Sequence, residues 1–195
     1  MVLNVPTRSD WLEAGLAAVA DGGPNGLRID RLCRRLGVSK GSFHHHFAGA
    51  GDFKRALLAA YETLVVEALN DAIEQAGAIT PQASLAGLTG AITSTQGHYR
   101  PELEVAMRAW AFSDPEVRAI QERVDRRRLE SLEGVWSKIL DDPRAVHTAA
   151  LLPYLVGIGA SLVQPPTRRD ELQRVYELLL RFVPDQSNET VRKRQ

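Results

Sequence analysis

The chain holds one cysteine, Cys33, in 195 residues. No internal disulfide can form, so the fold must rest on packing. Cys33 lies on an apolar helix face, where a thiol reads as a buried structural group rather than a redox sensor. Catalytic signatures are also missing. The sequence has no Gly-rich phosphate loop, no HExxH and no GxSxG, and its carboxylates are scattered along polar helix faces. Neither a catalytic residue nor a cofactor is therefore assigned, and a non-enzyme is expected. No signal-peptide pattern and no uninterrupted apolar run of membrane-spanning length occur, so a cytoplasmic protein without a membrane partner is expected. Internal repeats are absent. So is an excess of charge of either sign, with 24 Lys and Arg against 24 Asp and Glu. The balance hides an asymmetry. Residues 1–55 carry eight basic and five acidic side chains, a net of +3, and the rest of the chain carries the compensating −3. A basic end on a mildly acidic body points to nucleic acid at that end.

What is present is concentrated in residues 28–47, RIDRLCRRLGVSKGSFHHHF. Ile29, Leu32, Cys33 and Leu36 recur at helical spacing and give a first helix one apolar stripe. Gly37 follows the last periodic residue and suits the left-handed position that ends a helix, because it has no Cβ to clash. Val38 is an apolar plug in the turn. Ser39 is a candidate N-cap for a second helix, its hydroxyl accepting an otherwise unpaired backbone N–H. In that short helix Phe43 and Phe47 would face inward, and Lys40, Gly41, His44 and His45 outward. Helix, glycine turn and short polar-faced helix make a helix-turn-helix, whose second helix enters the DNA major groove.

GVSKGSFHHHF resembles the recognition segment of the tetracycline-repressor-like (TetR) regulators, with specific motifs from Thr7 to Leu58. The resemblance implies an all-helical homodimer in which a small N-terminal domain binds DNA and a larger C-terminal domain dimerises and holds an effector pocket. Three positions depart from that family. His44 stands where most relatives carry tyrosine, Arg28 where most begin the preceding helix with threonine, and AGAGD replaces a frequent lysine at the start of the fourth helix. Arg28 can exchange a hydroxyl–phosphate contact for a charged one. It loses a side-chain cap, which Asp30 in the first turn offsets in part through the helix dipole.

The remaining elements follow in order. Thr7–Asp10 has capping-box spacing and opens a helix to about residue 21. Gly22–Gly26 is a turn. The three N-terminal helices are expected to share a core of Trp11, Leu12, Leu16, Val19, Leu27, Ile29, Leu32, Leu36, Val38, Phe43 and Phe47. AGAGD reads as a flexible break, with Asp52 as the N-cap of a long helix to about residue 75. Further helices are expected over 81–99, 101–112, 115–140, 143–163 and 167–182, the last opened by a capping box at Thr167 and Asp170. Pro153 reads as a kink, and residues 149–163 are apolar on nearly every side. Such a helix must be buried from both sides, and it reads as too short and kinked for a membrane. The expected architecture is all-α, with about nine helices: a helix-turn-helix domain over 1–50, a helical effector-binding and dimerisation domain over 51–184, and a polar tail over 185–195.

Three sites follow. Arg28, Ser39, Lys40, Gly41, Ser42, His44 and His45 are the candidate contacts to double-stranded DNA, grouped near a helix N-terminus that favours phosphate. The resemblance places a pocket for a small-molecule effector among Tyr61, Leu64, Gln96, His98, Tyr99, Leu103, Met107, Arg108, Trp110, Phe112 and Trp136. The apolar faces of the last two helices suit a four-helix dimer interface, with Leu155, Gly157, Gly159, Ala160, Leu172, Tyr176 and Leu179 as candidates. Arg126–Arg128 reads as a solvated charge run. The run His44-His45-His46 is no metal site, because adjacent helical positions point about 100° apart and cannot close on one ion. His46 is expected to pack and hydrogen-bond within the small domain. His44 and His45 are expected to face DNA, where a protonated imidazole adds charge near phosphate. Operator affinity should therefore rise between pH 8 and pH 6 at fixed salt, as measured by equilibrium binding. A flat profile would remove these histidines from the interface.

Overall fold

The capping box forms as its spacing predicts. Asp10 N–H donates to Thr7 Oγ1 at 3.2 Å, and Thr7 N–H donates back to the Asp10 carboxylate at 2.7 Å. This opens α1 (Arg8–Gly22) in a computed structural model that describes residues 6–75 and 100–181. A short 3₁₀ turn (Gly23–Gly26) leads to α2 (Ile29–Leu36), α3 (Lys40–His46) and the long α4 (Ala50–Gln75). After residue 100 come α5 (Pro101–Ala111), α6 (Pro115–Trp136), α7 (Pro143–Leu162) and α8 (Arg169–Leu180). All regular structure among the described residues is helical, so the all-α expectation holds with eight α-helices described. The helix expected over 81–99 lies outside the described residues.

Compactness divides the chain into two units, residues 1–65 with 100–124, and residues 66–99 with 125–195. The division by compactness thus differs from the expected division by role into 1–50 and 51–184, because α5 packs along α1 and the first part of α6 joins the same core. Every residue expected in the small-domain core is there. Trp11, Leu16, Val19, Leu32, Phe43 and Phe47 are buried, with Leu12, Leu27, Ile29, Leu36 and Val38 packed against them. Phe53, Leu57, Leu58 and Tyr61 of α4, Leu103 and Met107 of α5, and Val117 and Val124 of α6 complete the cluster. Cys33 is buried as expected, and burial, with the nearby Asp30 charge, pushes its thiol up.

Polar groups pin this unit at two heights along α4, at Lys54 and at the adjacent Tyr61 and Glu62. Lys54 Nζ lies 2.7 Å from Asp114 and 2.8 Å from Glu116, and 5.6 Å from the Trp110 ring centroid. Tyr61 donates its hydroxyl hydrogen to Gln121 at 3.1 Å. Arg123 grips Glu62 with two parallel N–H donors at 3.1 and 2.9 Å, the fork geometry that makes guanidinium–carboxylate pairs directional. Burial opposes the Lys54 charge, but its two carboxylate partners outweigh burial and raise the ammonium above its ordinary value. The hydrogen bond from Lys54 holds the Asp114 carboxyl below the ordinary carboxylate range.

In the second unit Leu132, Val135 and Trp136 of α6 pack with Leu69, Ala72 and Ile73 of α4, Ala150 and Tyr154 of α7, and Leu180 of α8. Tyr154 donates to Asp125 at 2.7 Å, and Ser131 to Asn70 at 2.9 Å. Asp142 caps α7, accepting from the Ala145 N–H at 3.1 Å. The helix runs through Pro153 and spans 20 residues.

Several expected boundaries shift. AGAGD is not a break. α4 begins at Ala50, and Asp52 sits inside its first turn with its carboxylate accepting from the Ala48 N–H at 3.1 Å. An acid in the first turn can reach back to a free N–H and meets the positive end of the helix dipole, so it stabilises the start without being the cap. α6 ends at Trp136 rather than near residue 140. At α8 the cap position is Arg168, whose N–H donates to Glu171 at 3.0 Å, while Thr167 N–H is bound to Ala160 O. α7 matches the expected span to within one residue, but it is not too short for a membrane, being 20 residues long and apolar enough to cross a bilayer, nor is it buried from both sides, since only 17% of its most apolar 18-residue window is buried within the chain.

Asp114 does two jobs, since it also caps α6 through the Glu116 N–H at 3.1 Å and the Val117 N–H at 3.3 Å. Asp114→Ala should cost about 1–2 kcal/mol in urea unfolding at pH 7, as loss of a cap does. Because the folded carboxyl is depressed, its contribution is complete above its unfolded value and fades as pH falls through the folded one. The difference between parent and variant should shrink over that acidic window.

Candidate nucleic-acid interface

The turn between α2 and α3 is built as its glycine requires. Gly37 sits at φ 68°, ψ 30°, and the Val38 N–H closes back onto Cys33 O at 3.0 Å, tying off the helix end. Val38 packs on the core as the plug. α3 has only seven residues and is held from inside. Phe43 is fully buried, with ring centroids 5.4 Å from Trp11, 5.3 Å from Phe47 and 5.5 Å from Phe53.

With Phe43 and Phe47 inward, Lys40, Gly41, His44 and His45 are exposed, as expected. Ser42 departs from this. It is half-buried, and its hydroxyl is enclosed with no hydrogen-bond partner. Ser39 occupies the N-cap position by backbone geometry, yet its side chain makes no capping bond. His46 is tied within the domain, Nε2 lying 3.0 Å from Pro6 O. Among the described residues no group of three His, Cys, Asp or Glu side chains could hold a metal.

Charge on this face is arranged in two ways. Arg28, at the N-cap position of α2, is exposed and makes no side-chain cap. Arg31 and Arg34 follow at three-residue steps, so the three lie along one stripe of α2, all exposed and without a carboxylate partner among the described residues. Arg35 instead pairs with Asp21 at 2.8 Å. Lys40, the first residue of α3, pairs with Asp30 of α2 at 2.6 Å, with both side chains about two-thirds exposed. The hydrogen bond from Lys40, and then its charge, hold the Asp30 carboxyl down, and Asp30 in turn raises the ammonium. Sequence reading singled out Arg28 and missed Arg31 and Arg34, although their spacing was legible. It assigned Asp30 to the helix dipole and missed the pair with Lys40, which bridges the turn.

The residues expected to line an effector pocket fall in several places. Tyr61, Leu103 and Met107 are fully buried in the first unit's core, with Trp110 nearly so and Leu64 packed against it. Arg108 binds Glu104 one turn earlier, its Nη2 at 2.8 Å from a carboxylate that is 4% exposed. Phe112 is 85% exposed at the C-terminal cap of α5. Trp136 belongs to the second unit's core. Gln96, His98 and Tyr99 lie outside the described residues. In the second unit a groove of about 480 Å³ is lined by Glu133, Gly134, Ser137, Leu140, Asp141, Pro143 and Val146, none of them among the expected residues.

The expected dimer residues divide as well. Leu172 and Tyr176 are buried within the chain, where they join α8 to α7. The Tyr176 hydroxyl donates to Pro153 O at 3.0 Å and lies where a Cβ on Gly157 would meet it at 2.8 Å. Gly157 therefore makes room for a contact inside one chain. Leu155 is 55% exposed, while Gly159, Ala160 and Leu179 are half-buried. Leu152, Leu162, Val163, Val175 and Leu178 extend the uncovered apolar surface of this hairpin.

Comparison with known proteins agrees with this geometry. Residues 12–61 match the family model of bacterial regulatory proteins, tetR family. Over 74 residues the chain is 34% identical to the transcriptional regulator AcuR of Cereibacter sphaeroides, covering 38% of this chain and about a third (33%) of that relative. Solved structures share the fold at low identity. SCO4454, a TetR-family transcriptional regulator from Streptomyces coelicolor, aligns with a TM-score of 0.72 at 15% identity over 91% of this chain and 96% of its own. An inferred transcriptional regulator from Saccharomonospora viridis in complex with choline gives 0.73 at 15% identity over 90% and 95%. Residues 12–61, which hold the helix-turn-helix, are thus similar to the tetR family of bacterial regulatory proteins, and the chain spans about a third of the curated relative that it matches (33%).

Proposed function

We propose that the protein is a homodimeric transcriptional repressor that sits on a palindromic double-stranded operator and leaves it when a small molecule binds the helices beyond the DNA-binding domain. The observation that carries this reading is the anchored recognition helix. Its apolar side is locked by Phe43, and Lys40, Gly41, His44 and His45 stand exposed beside the Arg28–Arg31–Arg34 stripe. Lysine and histidine side chains there supply base-edge and phosphate contacts, and the arginine stripe supplies backbone contacts. A regulator of this kind works beside the chromosome, in the cytoplasm.

Dimerisation is supported by the uncovered apolar surface of α7 and α8. Leu155 and Leu178 are each more than half exposed in a single chain, and a second copy would cover them. Covering by a partner explains an apolar helix with little burial in one chain as well as a bilayer would. Two recognition helices related by a two-fold axis require two half-sites in inverted repeat. Effector release is supported by the choline bound in a protein of the same fold. In this chain the Glu104–Arg108 pair, set on a largely buried helix face, offers a polar anchor for a ligand in otherwise apolar surroundings. An effector relieves repression by the ratio of its affinities for the DNA-competent and released states.

Footprinting on DNA flanking the chain's own gene, at about physiological salt, should give a discrete protected palindrome. Salt-sensitive binding without a footprint at any site would instead favour a ligand-independent architectural role. Separately, Leu155→Glu with Leu178→Glu should convert a dimer to a monomer in sedimentation. A parent that is itself monomeric at micromolar concentration would sink the dimer.

A further inference from the structure

The Lys40–Asp30 pair is an oddity on a DNA-binding face. A carboxylate among phosphates costs affinity, and a lysine tied to it contributes less to counterion release. The two residues belong to different helices, α2 and α3, and meet across the turn at 2.6 Å. The ammonium has three donors and one is occupied by Asp30. Two remain, a number that suits the paired acceptors O6 and N7 of guanine. The long lysine stem otherwise lets the head swing to whichever phosphate is nearest. Arg34 bonds the Asp30 backbone oxygen at 3.3 Å and not its carboxylate, on which it acts through charge alone, so the direct partner of the carboxylate is Lys40.

We infer that Asp30 is a specificity-determining positioning residue, which holds the Lys40 ammonium off the phosphates and aims it at guanine in the major groove. This rests on the reading of α3 as a recognition helix. Discrimination then comes from both sides. On a correct site Lys40 reads guanine while still paired. On any other site it must leave Asp30 to gain a phosphate, and an uncompensated carboxylate is left facing the duplex.

The test uses the full-length chain, its Asp30→Asn and Lys40→Ala variants and the double variant, with thermal unfolding confirming that each is folded. Parent and D30N are each taken through selection from a randomised duplex library. Binding to the selected site and to a random duplex is then titrated over salt for all four proteins. For D30N the random-duplex affinity should rise about fivefold at 0.15 M salt, with its log–log salt slope steeper by about 0.9, the signature of one more phosphate neutralised. The ratio of specific to random affinity should fall by at least the same factor, and one strongly preferred guanine per half-site should be lost. In the K40A background D30N should leave that ratio unchanged. An unchanged ratio in D30N alone overturns the inference. So does an equal fall with and without Lys40, which would make Asp30 act by itself. A parent that selects no site at all overturns the recognition-helix reading instead, and that result is visible before any substitution is made.

Discussion

The structure turns on the seat of Phe43. A seven-residue helix has no stability of its own, because helix nucleation is costly and short segments do not recover the cost. α3 exists because Phe43 is enclosed by Trp11 of α1, Phe53 of α4 and Phe47 just beyond its own end, in mostly edge-to-face contacts near 5 Å. That one anchor fixes both the presence of the helix and its rotation. Rotation is what matters for function, since a turn of about 100° would bury His44 and expose Phe43. Gly37 then needs only to set the entry angle, and the exposed polar face follows from the buried one.

The same cluster explains why α5 and the start of α6 belong with the DNA-binding helices. Phe53 opens α4, and Lys54 next to it is gripped by Asp114 and Glu116 at the head of α6. α5 in turn lies along α1. Movement of the α5–α6 turn is therefore resisted both at the root of α4 and along α1, and any displacement that does occur is transmitted to the helices that seat Phe43. Packed cores pass on such shifts because they are bistable rather than continuously soft. The proposed effector release would need a linkage of this kind, and the contacts that could supply it lie within one compact unit.

How much of this was legible in the sequence depended on how local each signal is. The helix-turn-helix, the capping box at Thr7, the left-handed Gly37 and the eleven-residue core were all legible, because each is fixed by spacing within a few residues. Caps were legible only in part. The helix starts near residues 115 and 143 form where expected, with Asp114 and Asp142 as their caps, whereas Asp52 and Thr167 lie near helix starts without capping them, since a suitable residue type does not fix the register of the first turn. The pocket was not legible. Leu103 and Met107 are the same kind of residue in a packed core as on a cavity wall, and Phe112 is apolar yet points into solvent. Leu172, Tyr176 and Gly157 sit at dimer-like positions but are used inside one chain, because an apolar stripe states that a face is covered and not by which copy.

Charge closes the argument about the DNA face. The first 55 residues hold only three more basic than acidic side chains, and several of those bases are already engaged. Arg35 is paired with Asp21, Lys40 with Asp30 and Lys54 with two acids at the head of α6, and Arg28, Arg31 and Arg34 have no carboxylate partner among the described residues. Few free charges mean few counterions released, so the proposed DNA face would bind arbitrary DNA weakly and with a shallow salt dependence. A domain so arranged cannot hold an operator by electrostatics alone. On the proposed reading its affinity comes from directional contacts made by a small number of side chains at fixed positions, and the rigid seating of α3 and the orientation of Lys40 are then part of recognition itself.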